Sequence, residues 1–200
     1  MTFEEPDGAT PLDPDEMEGL RFKHISTRGE LDELEQANIT QGLRWLSRRR
    51  GGDILADDFV RNLHKRLFGD VWKWAGTYRL REKNIGIDPM LISVQLRYLL
   101  DDARYWAEHS TYEPLEAAAR FHHRMVQIHP FPNGNGRHAR ISADIYLNDY
   151  FNLSPIAWAS GFNLQADNER RSQYIIALRA ADGGDFEPII SFVGGGQAKT

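Results

Sequence analysis

The 200-residue chain carries 24 basic and 29 acidic side chains, for a net charge of −5, and no cysteine. Its length suits one domain, since about 150 residues already bury roughly 70% of their unfolded surface. Lack of thiols excludes disulfides, thiol catalysis, iron–sulfur clusters and most structural zinc; scattered basic residues leave no nucleic-acid footprint; and no stretch reaches the roughly 20 apolar residues of a bilayer span.

Residues 1–20 contain Pro6, Gly8, Pro11, Pro14 and a run of acids, which predicts an irregular arm rather than a helix. Acidic and proline-bearing, this arm does not read as a signal peptide, so a cytoplasmic protein without a membrane partner is expected. Helical stripes follow at Ile39, Leu43 and Leu46, at Val60, Leu63 and Leu67, from Leu96 to Ala107, from Leu115 to Ile128, and at Tyr174, Ala177, Leu178 and Ala181. Between Ile141 and Tyr150 the apolar residues occupy more than one face, which predicts a helix through the middle of the fold. From Thr77 to Ile87 the period shifts towards two before Asp88 and Pro89 turn the chain, which predicts a short β-hairpin. Trp45, Trp72, Trp74, Trp106 and Trp158 read as core anchors, Arg48 to Arg50 as a solvated helix end, and residues 194–200 as a disordered tail.

The segment that carries chemistry is His129-Pro-Phe-Pro-Asn-Gly-Asn-Gly-Arg-His-Ala-Arg140, between two helical stripes. Glycines on either side of an asparagine let several N–H groups point one way, and the following helix adds its positive end. Arg137 and Arg140 lie one turn apart and can neutralise phosphates. His129, just before the loop, can reach over it as a general base. Gly134 to Ala139 also satisfies G-x-G-x-x-A, but a helix precedes it and residues 153–157 read Leu-Ser-Pro-Ile-Ala, without the acid a dinucleotide fold requires. Neither a P-loop Gly-Lys-Ser/Thr nor a pair of histidines around a glutamate is present. The remaining histidines, at 24, 64, 109, 122, 123 and 138, read as structural or exposed.

Residues 129–140 resemble the signature of the Fic family, H-P-F-x-[DE]-G-N-G-R-x-x-R, at every specified position except the acidic one. Phe68 to Arg79 resembles the stretch before the flap of that family, and Asn168 to Pro188 its closing helix and turn. With Thr10-Pro-Leu-Asp-Pro-Asp-Glu16 and Glu33-Leu-Glu-Gln-Ala-Asn-Ile39, the whole chain is similar to the branch called mobile mystery protein B. The resemblance implies an all-α Fic fold over residues 21–193, a helical bundle around a central helix with a β-hairpin flap.

It further implies a protein adenylyltransferase that moves AMP from ATP to a Ser, Thr or Tyr hydroxyl of a target protein, in a toxin-like setting. On that reading His129 is the base and Phe131 fixes its direction. Gly134, Asn135 and Gly136 form the anion hole, Arg137 and Arg140 clamp the phosphates, and Tyr174 contacts the adenine. Asn84, Ile85, Gly86 and Ile87, in the flap, take the target segment as an added strand. Asn133 replaces the acid that usually holds Mg²⁺, so a weak Mg²⁺ site is expected. A Doc-like phosphotransferase, another nucleotide transfer and a catalytically weak Fic-fold binding protein stay open as alternatives. Ser26-Thr-Arg-Gly-Glu30 fits the first five positions of an inhibitory [ST]-x-x-x-E-[GN] pattern and Leu31 fails the sixth. Inhibition in trans, by a small helix-turn-helix antitoxin, is the larger expectation.

Overall fold

The computed structural model describes residues 10–25, 27–158, 164 and 168–195. Ser26, residues 1–9 of the expected arm and residues 196–200 of the expected tail lie outside them. The elements are α1 (Pro14–Met17), α2 (Arg28–Ser47), α3 (Asp57–Phe68), a 3-10 turn (Pro89–Leu91), α4 (Ile92–His109), α5 (Pro114–Ile128), α6 (Asn135–Phe151), α7 (Glu169–Asp182) and α8 (Glu187–Gly194). No described helix is long and apolar enough to cross a membrane.

Local chemistry sets where these helices start. Thr27 and Glu30 cap α2 reciprocally: the Glu30 N–H donates to the Thr27 hydroxyl at 3.2 Å, and the Thr27 N–H donates to the Glu30 carboxylate at 3.0 Å. Pro114 opens α5, where its missing N–H removes no helical bond. Asn168 accepts from the Arg171 N–H to start α7. The expected α6 does bury more than one face, through Ala139, Ala143, Ile145, Tyr146 and Leu147. It shares the centre with α5, which packs against α4, α6, α7 and α8. Ala117, Ala118 and Ala119 are all fully buried on α5, and three consecutive small side chains let neighbours approach from several sides.

Three expectations are corrected. The arm is not wholly irregular: α1 forms because Pro14 presets the first helical turn and the Glu16 carboxylate accepts from the Asp13 N–H at 2.8 Å. The basic run is not wholly solvated, since Arg49 pairs with Asp149 on α6. The hairpin is absent; the described residues contain no strand, only an isolated bridge between Leu20 and Trp72. Between Thr77 and Ile87 two of the carbonyls a ladder could use are taken by one side chain. Arg79, 2% exposed, donates to the carbonyls of Arg81 and Ile87 on either arm, and its own N–H donates to the Pro130 carbonyl at 2.9 Å. A guanidinium fork therefore joins the arms where strand pairing would otherwise do so.

Candidate active site

His129 terminates α5 in the left-handed region, at φ 53° and ψ 60°, and Pro130 prevents the helix from continuing. The turn aims the imidazole into the bundle, where it is 6% exposed. Arg79 clasps the same turn from below. Its Nε donates to the His129 carbonyl at 2.7 Å, and its Nη2 approaches the Ile128 carbonyl at 3.4 Å, so a cation sits on the negative end of α5. Burial first, then the Arg79 charge, lowers the His129 pKa to about 4, with the Val126 carbonyl pulling the other way. The ring is thus neutral at physiological pH, and its Nε2 lies 3.0 Å from the Thr10 hydroxyl.

The loop after His129 is braced from both sides. Phe131 is fully buried and stacks on His64 at 3.7 Å between centroids, with His138 edge-on at 5.2 Å. The Gly76 N–H donates to His64 Nδ1, so the ring proton is on Nε2, which donates to the Asn133 carbonyl at 3.0 Å. Burial keeps His64 and His138 well below the ordinary histidine pKa. The Asn135 side chain closes the loop on itself, accepting from the Phe131 N–H at 2.9 Å and donating to the Phe131 carbonyl at 2.7 Å. Its amide is therefore a brace, and only its backbone N–H faces the anion site.

Gly134 caps α6 in the left-handed region, at φ 78°, and offers no side-chain acceptor. The first N–H groups of α6 are left for a ligand, at the positive end of a 17-residue helix. A Cβ on Gly134 would lie 2.7 Å from the Phe68 ring, whereas one on Gly136 would meet nothing closer than Arg140 at 3.5 Å. Arg137 lies over the Phe68 ring at 4.8 Å and pairs with Glu35 at 2.6 Å. Arg140 reaches the Tyr174 hydroxyl at 3.5 Å, and that hydroxyl is also hydrogen-bonded to His122 Nε2 at 3.0 Å. Tyr174 is 4% exposed and so engaged from both sides.

These groups open onto a cavity of about 730 Å³, within the size range of small-molecule sites. Asn84, Ile85, Gly86 and Ile87 line it from the loop that replaces the hairpin. Six arginines line it (Arg28, Arg124, Arg137, Arg140, Arg171 and Arg179) against one acid, Asp182, in a chain of net charge −5. Such a cavity suits a polyanion. Among the described residues no group of three His, Cys, Asp or Glu is placed to hold a metal ion. The Asn133 Oδ1 is already engaged by the Gly134 N–H at 2.6 Å, and its Nδ2 donates to the Thr10 carbonyl at 3.1 Å.

The structure brings every expected site residue to one cavity wall. It adds others that the sequence reading missed as site residues: Thr10, Glu35 and Arg79, and the cavity-lining Arg28, Arg124, Arg171 and Arg179. The Thr27-x-x-Glu30 cap could have signalled that α2 begins here, with Arg28 in its first turn. Thr10, Glu35 and Arg79 reach the site through folding over long sequence separations, and local spacing carries no signal for that.

Residues 54–147 match the sequence profile of the Fic/DOC family. The chain is 31% identical over 146 residues to protein adenylyltransferase fic-1 of Caenorhabditis briggsae, covering 70% of this chain and 27% of that protein. It is 29% identical over 153 residues to protein adenylyltransferase Fic of Drosophila melanogaster, covering 74% and 29%. It thus spans under a third of these curated relatives. A Fic-1 fragment from C. elegans superposes with a TM-score of 0.63 at 25% identity, covering 89% of this chain and 51% of that one. BepC of Bartonella tribocorum, solved with bound AMPPNP, superposes at 0.70 and 15% identity over 94% and 100%. Profile, relatives and fold agree with the braced loop and its histidine: the chain carries a domain of the Fic/DOC family.

Proposed function

We propose that this chain is a protein adenylyltransferase that transfers AMP from ATP to a hydroxyl of a target protein. The observation that carries the reading is the placement of a neutral His129 Nε2, with a hydroxyl already within hydrogen-bond reach, beside the uncapped start of α6 and its two arginines. His129 takes the proton from the attacking hydroxyl, a step worth typically 10²- to 10⁴-fold. The N–H groups of Asn135 and Gly136 receive the charge that develops on the transferred phosphate, while the Gly134 N–H donates to Asn133 Oδ1 and Gly134 shapes the turn. Arg137 and Arg140 hold the departing pyrophosphate, and Tyr174 steadies Arg140 and walls the adenine side. The loop of Asn84, Ile85, Gly86 and Ile87 meets the target segment, with the Ile87 carbonyl held by Arg79. The adenylyltransferase relatives and the AMPPNP-bound neighbour support ATP as the donor. The Asn133 oxygen already accepts from the Gly134 N–H, which leaves one uncharged lone pair for Mg²⁺, and no step here runs through a metal.

The catalytic unit is residues 21–193, and Thr10 to Glu16 supports a place in the mobile mystery protein B branch. Glu30 is occupied in capping α2, which favours inhibition in trans by a helix-turn-helix antitoxin over inhibition in cis. The test is the intact mass of candidate targets after incubation with ATP and magnesium. A gain of one AMP, lost in His129→Ala, is expected. A gain of phosphate alone would replace this reading by the Doc-like one, and no gain at all would leave a binding protein.

A further inference from the structure

Thr10 occupies an unusual place for a residue so far from the loop in sequence. It is 6% exposed, and its hydroxyl lies 3.0 Å from Nε2 of His129, where an acceptor hydroxyl belongs in adenylyl transfer. Its carbonyl accepts from Asn133 Nδ2 at 3.1 Å, so backbone and side chain are both fixed against the loop that binds phosphate. The following segment is strapped down. Lys83, whose side chain is 3% exposed, donates to the Pro11 carbonyl at 3.1 Å and pairs with Asp13 at 2.9 Å and with Glu16. Arg81 pairs with Asp15, and the Trp74 indole N–H donates to the Glu16 carbonyl at 2.9 Å. Arg81 and Lys83 belong to the loop that faces the cavity at Asn84 to Ile87. The segment after Thr10 is thus held on the surface that a target segment would use.

We propose that Thr10 is an acceptor for the chain's own active site, and that AMP is transferred to it within one molecule. The Thr10 Oγ1 attacks the α-phosphorus of a bound ATP and forms a new P–O bond. The bond from that phosphorus to the oxygen bridging the α- and β-phosphates breaks, and pyrophosphate leaves with the electron pair. The hydroxyl proton passes to His129 Nε2 and then to water, leaving a phosphodiester on Thr10. A hydroxyl held this close to its base needs no encounter step, which makes transfer to it an intramolecular reaction with a high effective concentration. The product fills the acceptor position, so self-modification and modification of an external target exclude each other at one site.

This inference rests on the adenylyltransferase reading, and one experiment separates the two. The purified chain is incubated with ATP and magnesium at several dilutions, with and without an added protein acceptor, and each modified residue is located by peptide mass spectrometry. One AMP on Thr10 is expected, at a fractional rate independent of dilution. It should persist in Thr10→Ser and vanish in Thr10→Ala and in His129→Ala. AMP found only on other residues or on the added acceptor would overturn the Thr10 assignment and leave the adenylyltransferase reading standing. AMP on no protein at all would overturn both. A fractional rate that falls on dilution would overturn transfer within one molecule.

Discussion

Glu35 on α2 meets Arg137 on α6 at 2.6 Å, with the two side chains 3% and 11% exposed, and the Trp72 indole donates to the other Glu35 oxygen at 2.6 Å. A buried guanidinium that has lost its counter-charge costs about 3–5 kcal/mol. Glu35→Gln keeps an acceptor for Trp72 and removes that charge, so the free protein should unfold at a lower temperature. A triphosphate beside Arg137 would restore an anion. ATP should therefore raise the unfolding temperature more in Glu35→Gln than in the parent, as thermal melts with and without nucleotide can show. Equal shifts would mean that Arg137 does not face the nucleotide.

The two loop glycines should separate folding from binding. Alanine at Gly134 brings a Cβ to 2.7 Å from Phe68 at φ 78°, combining overpacking with left-handed strain of about 1–3 kcal/mol each. Alanine at Gly136 meets no protein atom closer than 3.5 Å and projects into the space meant for phosphate. Gly134→Ala should therefore lose stability in denaturant titrations, whereas Gly136→Ala should keep its midpoint and lose ATP affinity by calorimetry.

Arg79 holds His129 through its carbonyl while also tying Arg81 and Ile87, and burial lowers its pKa. Lysine cannot reproduce a fork that reaches several carbonyls at different angles. Arg79→Lys should leave acceptors unsatisfied at about 1–3 kcal/mol each and let the His129 turn move. The expected signature is a fall in kcat larger than any rise in KM for ATP. A change confined to KM would detach Arg79 from positioning the base.

Acid should unfold this protein through its histidines. His64, His122, His129 and His138 all have folded pKa values below the ordinary histidine value of about 6.5, the last two about 4, with burial the leading cause in each. Below pH 6.5 the unfolded chain takes up protons that the folded chain refuses. Each such histidine then removes up to about 1.4 kcal/mol of stability per pH unit as the pH falls. Asp144, raised by burial to about 6, works in the opposite sense between its unfolded value and 6, since the folded form binds that proton first. One carboxyl does not offset four imidazoles, so the denaturation midpoint should drop steadily from pH 6.5 to 4.5. Between pH 7 and 8 the rate should show no limb from His129, whose proton is already gone.

Most of the helices and the loop were legible because the information is local. The stripe from Leu115 to Ile128 marks α5, and a glycine–asparagine–glycine run before an arginine pair marks the start of α6. The hairpin was misread because period two in Tyr78, Leu80, Ile85 and Ile87 cannot reveal that Arg79 satisfies the backbone between them; Leu80, 89% exposed, is not a core residue at all. Nor could spacing show that Thr10 crosses 119 positions to reach His129, or Glu35 more than a hundred to reach Arg137. Such pairs depend on tertiary packing, which leaves the local pattern unchanged.

Asn133 links the phosphate loop to Thr10, and Asn133→Asp tests both ends of that link. A carboxylate still accepts from the Gly134 N–H but cannot donate to the Thr10 carbonyl, which then faces a like partial charge at about 3 Å. The Thr10 segment should loosen, and AMP transfer to Thr10 should slow. The second carboxylate oxygen gains what the amide lacks, a charged and unoccupied ligand for a hard cation. Less magnesium should then be needed for half-maximal transfer to an added acceptor. Measured together, slower modification of Thr10 and a lower magnesium requirement are expected. An unchanged magnesium titration would remove position 133 from metal binding, and an unchanged Thr10 rate would show that the Asn133 amide does not hold the acceptor.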